Sequence, residues 1–167
     1  MAAAAMVAGL GASLSACHLN LSMQAEARDE WTRTYEVAQG AELDLRTTNG
    51  SIRVETIDGN RVEVRATRIV KAQTDDSARQ GLSEFAITET ATPAAVRIDA
   101  RGPSTWLRGS RSVDVRIRAP RWLRVTLQGT NSDVEVRDLA GPLRAETTNG
   151  RIVGRLLGAG ADVESVN

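Results

Sequence analysis

Leu123 to Asn167 reads LRVTLQGTNSDVEVRDLAGPLRAETTNGRIVGRLLGAGADVESVN. Apolar and polar residues alternate in its short runs: Leu123, Val125 and Leu127, then Val134 and Val136. Period two is the mark of a strand with one buried face. The runs also repeat: Asn131, Asn149 and Asn167 stand 18 residues apart. The same offset places Val125 on Leu143, Leu127 on Ala145, Val134 on Ile152 and Leu139 on Leu157. An earlier copy joins at one constant shift, with Leu43, Leu45, Asn49, Ile52, Val54, Ile57 and Gly59 on Val125, Leu127, Asn131, Val134, Val136, Leu139 and Gly141. The template is an alternating strand, a Thr-rich approach, Asn-Gly or Asn-Ser, a second strand and a Gly turn.

Two folds satisfy this template. Each Asn-Gly could close a two-residue hairpin with positive φ at both central positions, setting Leu45 against Val54, in an antiparallel β-sandwich. Alternatively each unit of about 18 residues is one coil of a β-solenoid, with the Asn side chains stacked in a ladder at one corner. The solenoid accounts for the constant spacing, which hairpins do not require, and is the preferred expectation for an all-β fold. Residues 61 to 118 lack the period. They contain alternating Val62 and Val64, Val113, Val115 and Ile117, and one helix candidate capped at Thr74, with Asp75 and Asp76 in its first turn and Ala78, Leu82 and Phe85 along one side. The last copy stops at Asn167 where the template calls for Gly, so further coils are expected beyond it.

The amino terminus reads as an address. Ala2 to Leu14 is almost wholly small or apolar, too short for a bilayer of about 30 Å and suited to a signal-peptide core. Leu14-Ser15-Ala16-Cys17 follows, which resembles the bacterial lipobox and makes Cys17 the expected lipidation site. No Lys or Arg precedes Arg28, so the usual basic leader segment is missing; a late start or a trimmed sequence is expected. His18, a non-Asp residue after the lipidated position, implies the outer membrane by the same resemblance. The expected organisation is a signal peptide over 1–16, a lipidated Cys and flexible tether over 17–30, and a β-repeat domain over 31–167.

Composition narrows the chemistry. The 167 residues carry 21 basic and 21 acidic side chains, and a neutral balance argues against nucleic acid as a partner. One Cys and one His, adjacent before the domain, leave no disulfide framework, His/Cys metal site or Cys–His pair, and no cofactor is expected. No nucleophile elbow or phosphate loop occurs. Asp44, Glu55, Glu63, Glu135 and Glu146 fall at outward strand positions and are read as solvated acids, so no enzyme is expected. Asp58-Gly59-Asn60 has too few oxygens for Ca²⁺ and reads as a turn.

Asn49, Gly50, Asn131, Asn149 and Gly150 are read as structural turn residues with positive φ, ahead of a row of amides for sugar hydroxyls. The best candidate ligand surface is basic. Between Arg101 and Arg124 there are seven Arg and one acid, Asp114. Arg116, Arg118 and Arg124, with Trp106 and Trp122, could grip an anionic glycan through bidentate bonds and ring stacking. The competing reading is a solvated strand face with the Trp residues plugging the core edge.

Thr47-Thr48-Asn49-Gly50-Ser51-Ile52, Thr147-Thr148-Asn149-Gly150-Arg151-Ile152 and Val113 to Pro120 resemble the bacterial putative-adhesin family, a domain of unknown function. The resemblance covers about residues 31 to 167. It implies an exported right-handed β-helical stack and brings no catalytic residues. The expected function is a lipid-anchored, non-enzymatic envelope protein that presents a β-repeat surface for adhesion or glycan contact, held to the membrane by its anchor. A regulatory module for envelope stress, acting through a protein partner, is the alternative; a carbohydrate-active enzyme comes third.

Overall fold

A computed structural model describes residues 25–102, 109–155, 157, 158 and 160–166. Cys17, Trp106 and Asn167, and with them the expected signal peptide and lipidation site, lie outside the described residues. The described residues are mostly β with one short helix, built as two six-stranded mixed sheets.

Sheet I runs β1 (Ala25–Glu36), β4 (Arg61–Ala72), β7 (Gly109–Pro120), β3 (Asn49–Ile57), β9 (Asn131–Arg137) and β11 (Ile152–Arg155). Sheet II runs β5 (Thr88–Thr92), β6 (Ala95–Ala100), β2 (Glu42–Thr47), β8 (Arg124–Gly129), β10 (Leu143–Thr147) and β12 (Ala161–Ser165). From β7 to β11 and from β6 to β12 every pairing is parallel. Antiparallel strands occur only at the other end, where β1 and β4 flank β7 and β5 flanks β6. The two sheets follow the same order. β6 leads to β7, β2 to β3, β8 to β9 and β10 to β11, so successive strands occupy matching levels of the two sheets.

The registers explain the sequence spacing. Val125 lies beside Leu143 and Leu143 beside Ala161, while Val134 lies beside Ile152. Leu43, Leu45, Asn49, Ile52 and Val54 lie beside Val125, Leu127, Asn131, Val134 and Val136. Alternation then points whole columns inward: Ile98, Leu45, Leu127 and Ala145 from sheet II, and Ala66, Val115, Ile52 and Val134 from sheet I. These columns form one core between the sheets. Each fully buried Leu, Ile or Val stabilises it by about 1.5–3 kcal/mol, which offsets the scarcity of aromatics.

Three expectations need correction. Asn49-Gly50 closes no hairpin: β2 and β3 belong to different sheets, and Leu45 lies beside Leu127 and Ile98 rather than Val54. Positive φ is not why Asn stands at these positions, because Asp138 is the one described non-Gly residue with φ above zero. Residues 25–30 of the expected tether are ordered instead, since Ala25 to Glu30 is already strand, paired antiparallel with Thr67 to Ala72. Its inward positions are Ala25, Ala27 and Asp29, weakly apolar or charged, so no hydrophobic alternation marks it. Asp29 is tolerated there because Arg68, also inward, donates to it through Nε at 2.8 Å.

Helix α1 (Asp75–Glu84) forms where expected, with Thr74 accepting from the Ser77 amide at 3.2 Å. Ala78 and Gly81 are buried on its inner side, where it packs on β1 and β4.

Candidate functional site

The fold divides the sequence-derived Arg stripe. Arg116 and Arg118 project from β7 on the outer face of sheet I. The chain then turns through Arg121 and Trp122, and Arg124 projects from the outer face of sheet II, on the far side of the core. Trp122 is half-buried and packs against the core, so it seals an edge rather than joining Arg116. Trp106 and Cys17 cannot be placed among the described residues.

What β7 does bring together is a row the sequence did not reveal. Arg65 of β4 lies directly beside Arg116, and Arg116 beside Arg53 of β3. Adjacent strands are about 4.8 Å apart, so three outward Arg residues start side by side at strand spacing. Arg53 pairs with Glu135 at 3.5 Å. Glu135 is held below the usual carboxylate range, chiefly by the hydrogen bond from Arg137 (Nε to Oε1, 2.9 Å), with the Arg53 charge adding to it. Arg65 and Arg116 form no ion pair among the described residues. One step along the strands, charges alternate as Glu63, Arg118 and Glu55, and Arg118 donates from Nη1 to Glu63 at 3.1 Å. These side chains, with Thr32 and Thr34 of β1, line an open groove of about 500 Å³ carrying four guanidiniums to two carboxylates. Alternation alone marks Arg53 and Arg65 as outward; only the order β4, β7, β3 makes them neighbours.

Sheet II presents a compensated face. Arg97 reaches Glu42 at 3.4 Å, Arg46 reaches Asp44 at 3.3 Å, and Arg144 reaches Glu146 at 2.5 Å. Arg124 lies beside Glu42 in the register. A larger cleft, of about 950 Å³, has Asn49, Phe85, Gly102, Gly109 and Arg111 in its wall.

The corner Asn residues form a ladder. Asn49 donates from Nδ2 to the Arg111 carbonyl at 3.0 Å, Asn131 to Asn49 Oδ1 at 2.7 Å, and Asn149 to Asn131 Oδ1 at 3.0 Å. Amides committed to one another in this way are poorly placed to grip sugar hydroxyls. The glycines beside them answer to close approach: a Cβ at Gly50, where φ is +128°, would overlap the Val113 carbonyl, and one at Gly150 would overlap that of Ser132. Beneath the ladder, buried Thr47 and Ser132 share a hydroxyl bond of 2.8 Å, and Thr147 donates to the Ser132 carbonyl at 3.1 Å.

A second polar cluster closes the edge between the sheets. Trp31, Arg33 and Tyr35 alternate along β1 and face β5, where Glu89 accepts from Arg33 Nε at 2.9 Å and from the Tyr35 hydroxyl. The Arg33 guanidinium sits over the Trp31 ring, 4.9 Å from its centroid. Burial, reinforced by the Glu89 hydrogen bond and charge, pushes the Tyr35 phenol above its ordinary range. Burial pushes Glu89 up, but the hydrogen bonds from Tyr35 and Arg33 outweigh it and hold the carboxyl below its usual value. Among the described residues no three His, Cys, Asp or Glu side chains are grouped to hold a metal ion.

No family model matches the chain, and no curated protein matches it. Among solved structures it is similar to a putative cell adhesion protein from Clostridium sporogenes ATCC 15579, at 8% identity and a TM-score of 0.45, over 84% of this chain and 100% of that one.

Proposed function

We propose that the chain is a lipid-anchored, non-enzymatic protein of the cell envelope, whose body is a β-solenoid that presents a flat strand surface for adhesion or glycan contact. Each coil contributes one strand to sheet II and the next to sheet I: β6–β7, β2–β3, β8–β9 and β10–β11. The parallel registers and the Asn ladder support this, because the steps from β2–β3 to β8–β9 and from β8–β9 to β10–β11 repeat the same Asn-to-Asn hydrogen bond. Such a stack is stiff, and its outer faces offer side chains at a fixed spacing, which suits a long partner better than a small molecule. The observation that carries the binding reading is the contrast between the two faces. Among the described residues, sheet II pairs Arg46, Arg97 and Arg144 with carboxylates and leaves Arg124 by itself beside Glu42, whereas sheet I sets Arg65 and Arg116, neither in an ion pair, next to each other in a groove.

The lipobox-like Leu14-Ser15-Ala16-Cys17 supports export and anchoring at the outer membrane. Replacing Cys17 with Ser should move the protein from the membrane to the soluble fraction; a variant that stays membrane-bound refutes the anchor. Purified cell-envelope fragments should retain the full chain and lose it in rising salt. Fragments that retain no more of it than of an unrelated neutral protein refute the adhesive role.

A further inference from the structure

We propose that Arg53, Arg65 and Arg116 form a binding row for a linear carboxylated polysaccharide, laid across the strands of sheet I. This deepens the adhesive reading and rests on it. The row holds three guanidiniums on consecutive strands, β3, β7 and β4, in direct lateral register. Like charges opposite one another destabilise a sheet, so the arrangement works against folding. Elsewhere in the two sheets like charges meet laterally only as pairs, Glu146 with Glu164 and Arg137 with Arg155, both toward the β11 and β12 edges. The Arg row sits instead in the interior of sheet I, lining a groove.

The geometry selects the ligand. A guanidinium binds a carboxylate through two parallel hydrogen bonds, and the open forks of Arg65 and Arg116 have that capacity unspent. The row repeats its Arg positions at about 4.8 Å, the strand spacing, from which the long side chains can reach out. A polymer with one carboxylate on each sugar ring repeats its charge on a similar scale, so successive rings can meet successive strands. Thr32 lies beside Arg65 in the register and extends the row with a hydroxyl suited to a sugar hydroxyl. At the other end Glu135 takes part of Arg53, which sets Arg65 and Arg116 as the main anchors. Arg118, already held by Glu63, contributes little.

The test is fluorescence polarisation of the full chain with labelled galacturonate oligomers, monomer to hexamer, and with linear polyphosphate. Affinity should rise from monomer to trimer by tenfold or more as the row fills, and then level. Arg116→Gln should weaken trimer binding about tenfold, and Arg116→Lys by less, because it keeps the charge and loses the fork. Arg124→Gln, on the opposite face, should leave binding unchanged. Equal affinity for monomer and trimer, or equal losses from Arg116→Gln and Arg124→Gln, would overturn the row. Tight polyphosphate binding without galacturonate binding would overturn the carboxylated-glycan assignment. Absence of binding to every probe, with envelope fragments still retaining the chain, defeats this row and leaves the adhesive reading standing. Loss of retention on the fragments as well defeats both.

Discussion

The two ends of the paired sheets solve the same problem in opposite ways. At one end the parallel order gives way to antiparallel β1, β4 and β5, helix α1 covers the flank, and Trp31, Arg33, Tyr35 and Glu89 close the edge. At the other end β11 and β12 finish the sheets with no strand beyond them among the described residues, and Val163 and Val166 are 48% and 54% exposed. The inner columns show the gradient. Ile98, Leu45 and Leu127 are buried, Ala145 is buried but small, and Val163 is exposed. Cooperative stability therefore belongs to the β4–β7–β3 and β6–β2–β8 levels, and the β12 level depends on its neighbour alone.

Paired substitutions of one kind at the two ends should break or sharpen this contrast. The largest effect is expected at the glycines of the corner. Gly50→Ala sets a Cβ against the Val113 carbonyl from a backbone at φ +128°, between two fixed strands, and should cost about 4 kcal/mol. Gly150→Ala makes a similar overlap with the Ser132 carbonyl, but next to β11, which can shift outward, so about half that cost is expected. Urea titrations of the two variants give the comparison; equal losses would mean that both ends are equally rigid.

Next in size is the pair Leu45→Ala and Val163→Ala, drawn from one inner column. The first opens a cavity in the core and should cost about 3 kcal/mol. The second removes exposed methyls and should stay within about 0.5 kcal/mol. Amide exchange should follow, with β12 opening first and β2 only on global unfolding. A large loss at Val163 would show that the open end is covered in solution.

Much of this layout was legible because the core is built of strict alternation. The pairs Leu43–Leu45, Ile52–Val54 and Val125–Leu127 declare their faces, and their constant offsets state the register. What escaped was whatever depends on strand order. The first half of β1 hides behind Ala25, Ala27 and Asp29, and β5 (TETAT) is exposed throughout. No Thr-Asn-Gly string lies between β6 and β7 in the sequence, so no repeat pointed to that level. Likewise Arg116 was visible as an outward base, but its neighbours Arg53 and Arg65 come from segments 63 and 51 residues away in sequence. The Trp residues and Arg124 shared a sequence window with Arg116, and the turn after Pro120 sends the chain to the other sheet.

Acidity and alkalinity should act on the closed end through Tyr35 and Glu89. The chain has a single Tyr, so its tyrosinate absorbance reports Tyr35 directly. The phenol is raised above its ordinary value near 10, so its contribution is whole below that pH and is lost as pH rises through the folded-state value. Glu89 is depressed, so its contribution is present above the ordinary carboxylate range and fades as pH falls through the folded-state value. Glu89→Gln should bring the Tyr35 midpoint down toward 10 without restoring it fully, because burial is the larger cause. A normal midpoint in the unmodified protein would dissolve the Tyr35–Glu89 closure.

The smallest effect concerns the Arg row, and its sign is what matters. Arg116 stands between Arg65 and Arg53, whereas Arg118, two residues on, stands between Glu63 and Glu55. Thr suits a strand as well as Arg does, so the same replacement at both sites isolates the charge. Arg116→Thr relieves two like-charge neighbours and should stabilise by about 0.5 kcal/mol at low salt. Arg118→Thr forfeits an exposed ion pair and should destabilise by a similar few tenths. Both differences should shrink as salt screens the face. A thermal midpoint that rises for Arg116→Thr means folding bears a cost at this position, and a cost borne at an exposed site is most simply maintained by something that binds there. If Arg116→Thr instead destabilises as Arg118→Thr does, the row is ordinary strand packing and the groove has lost its claim to a ligand.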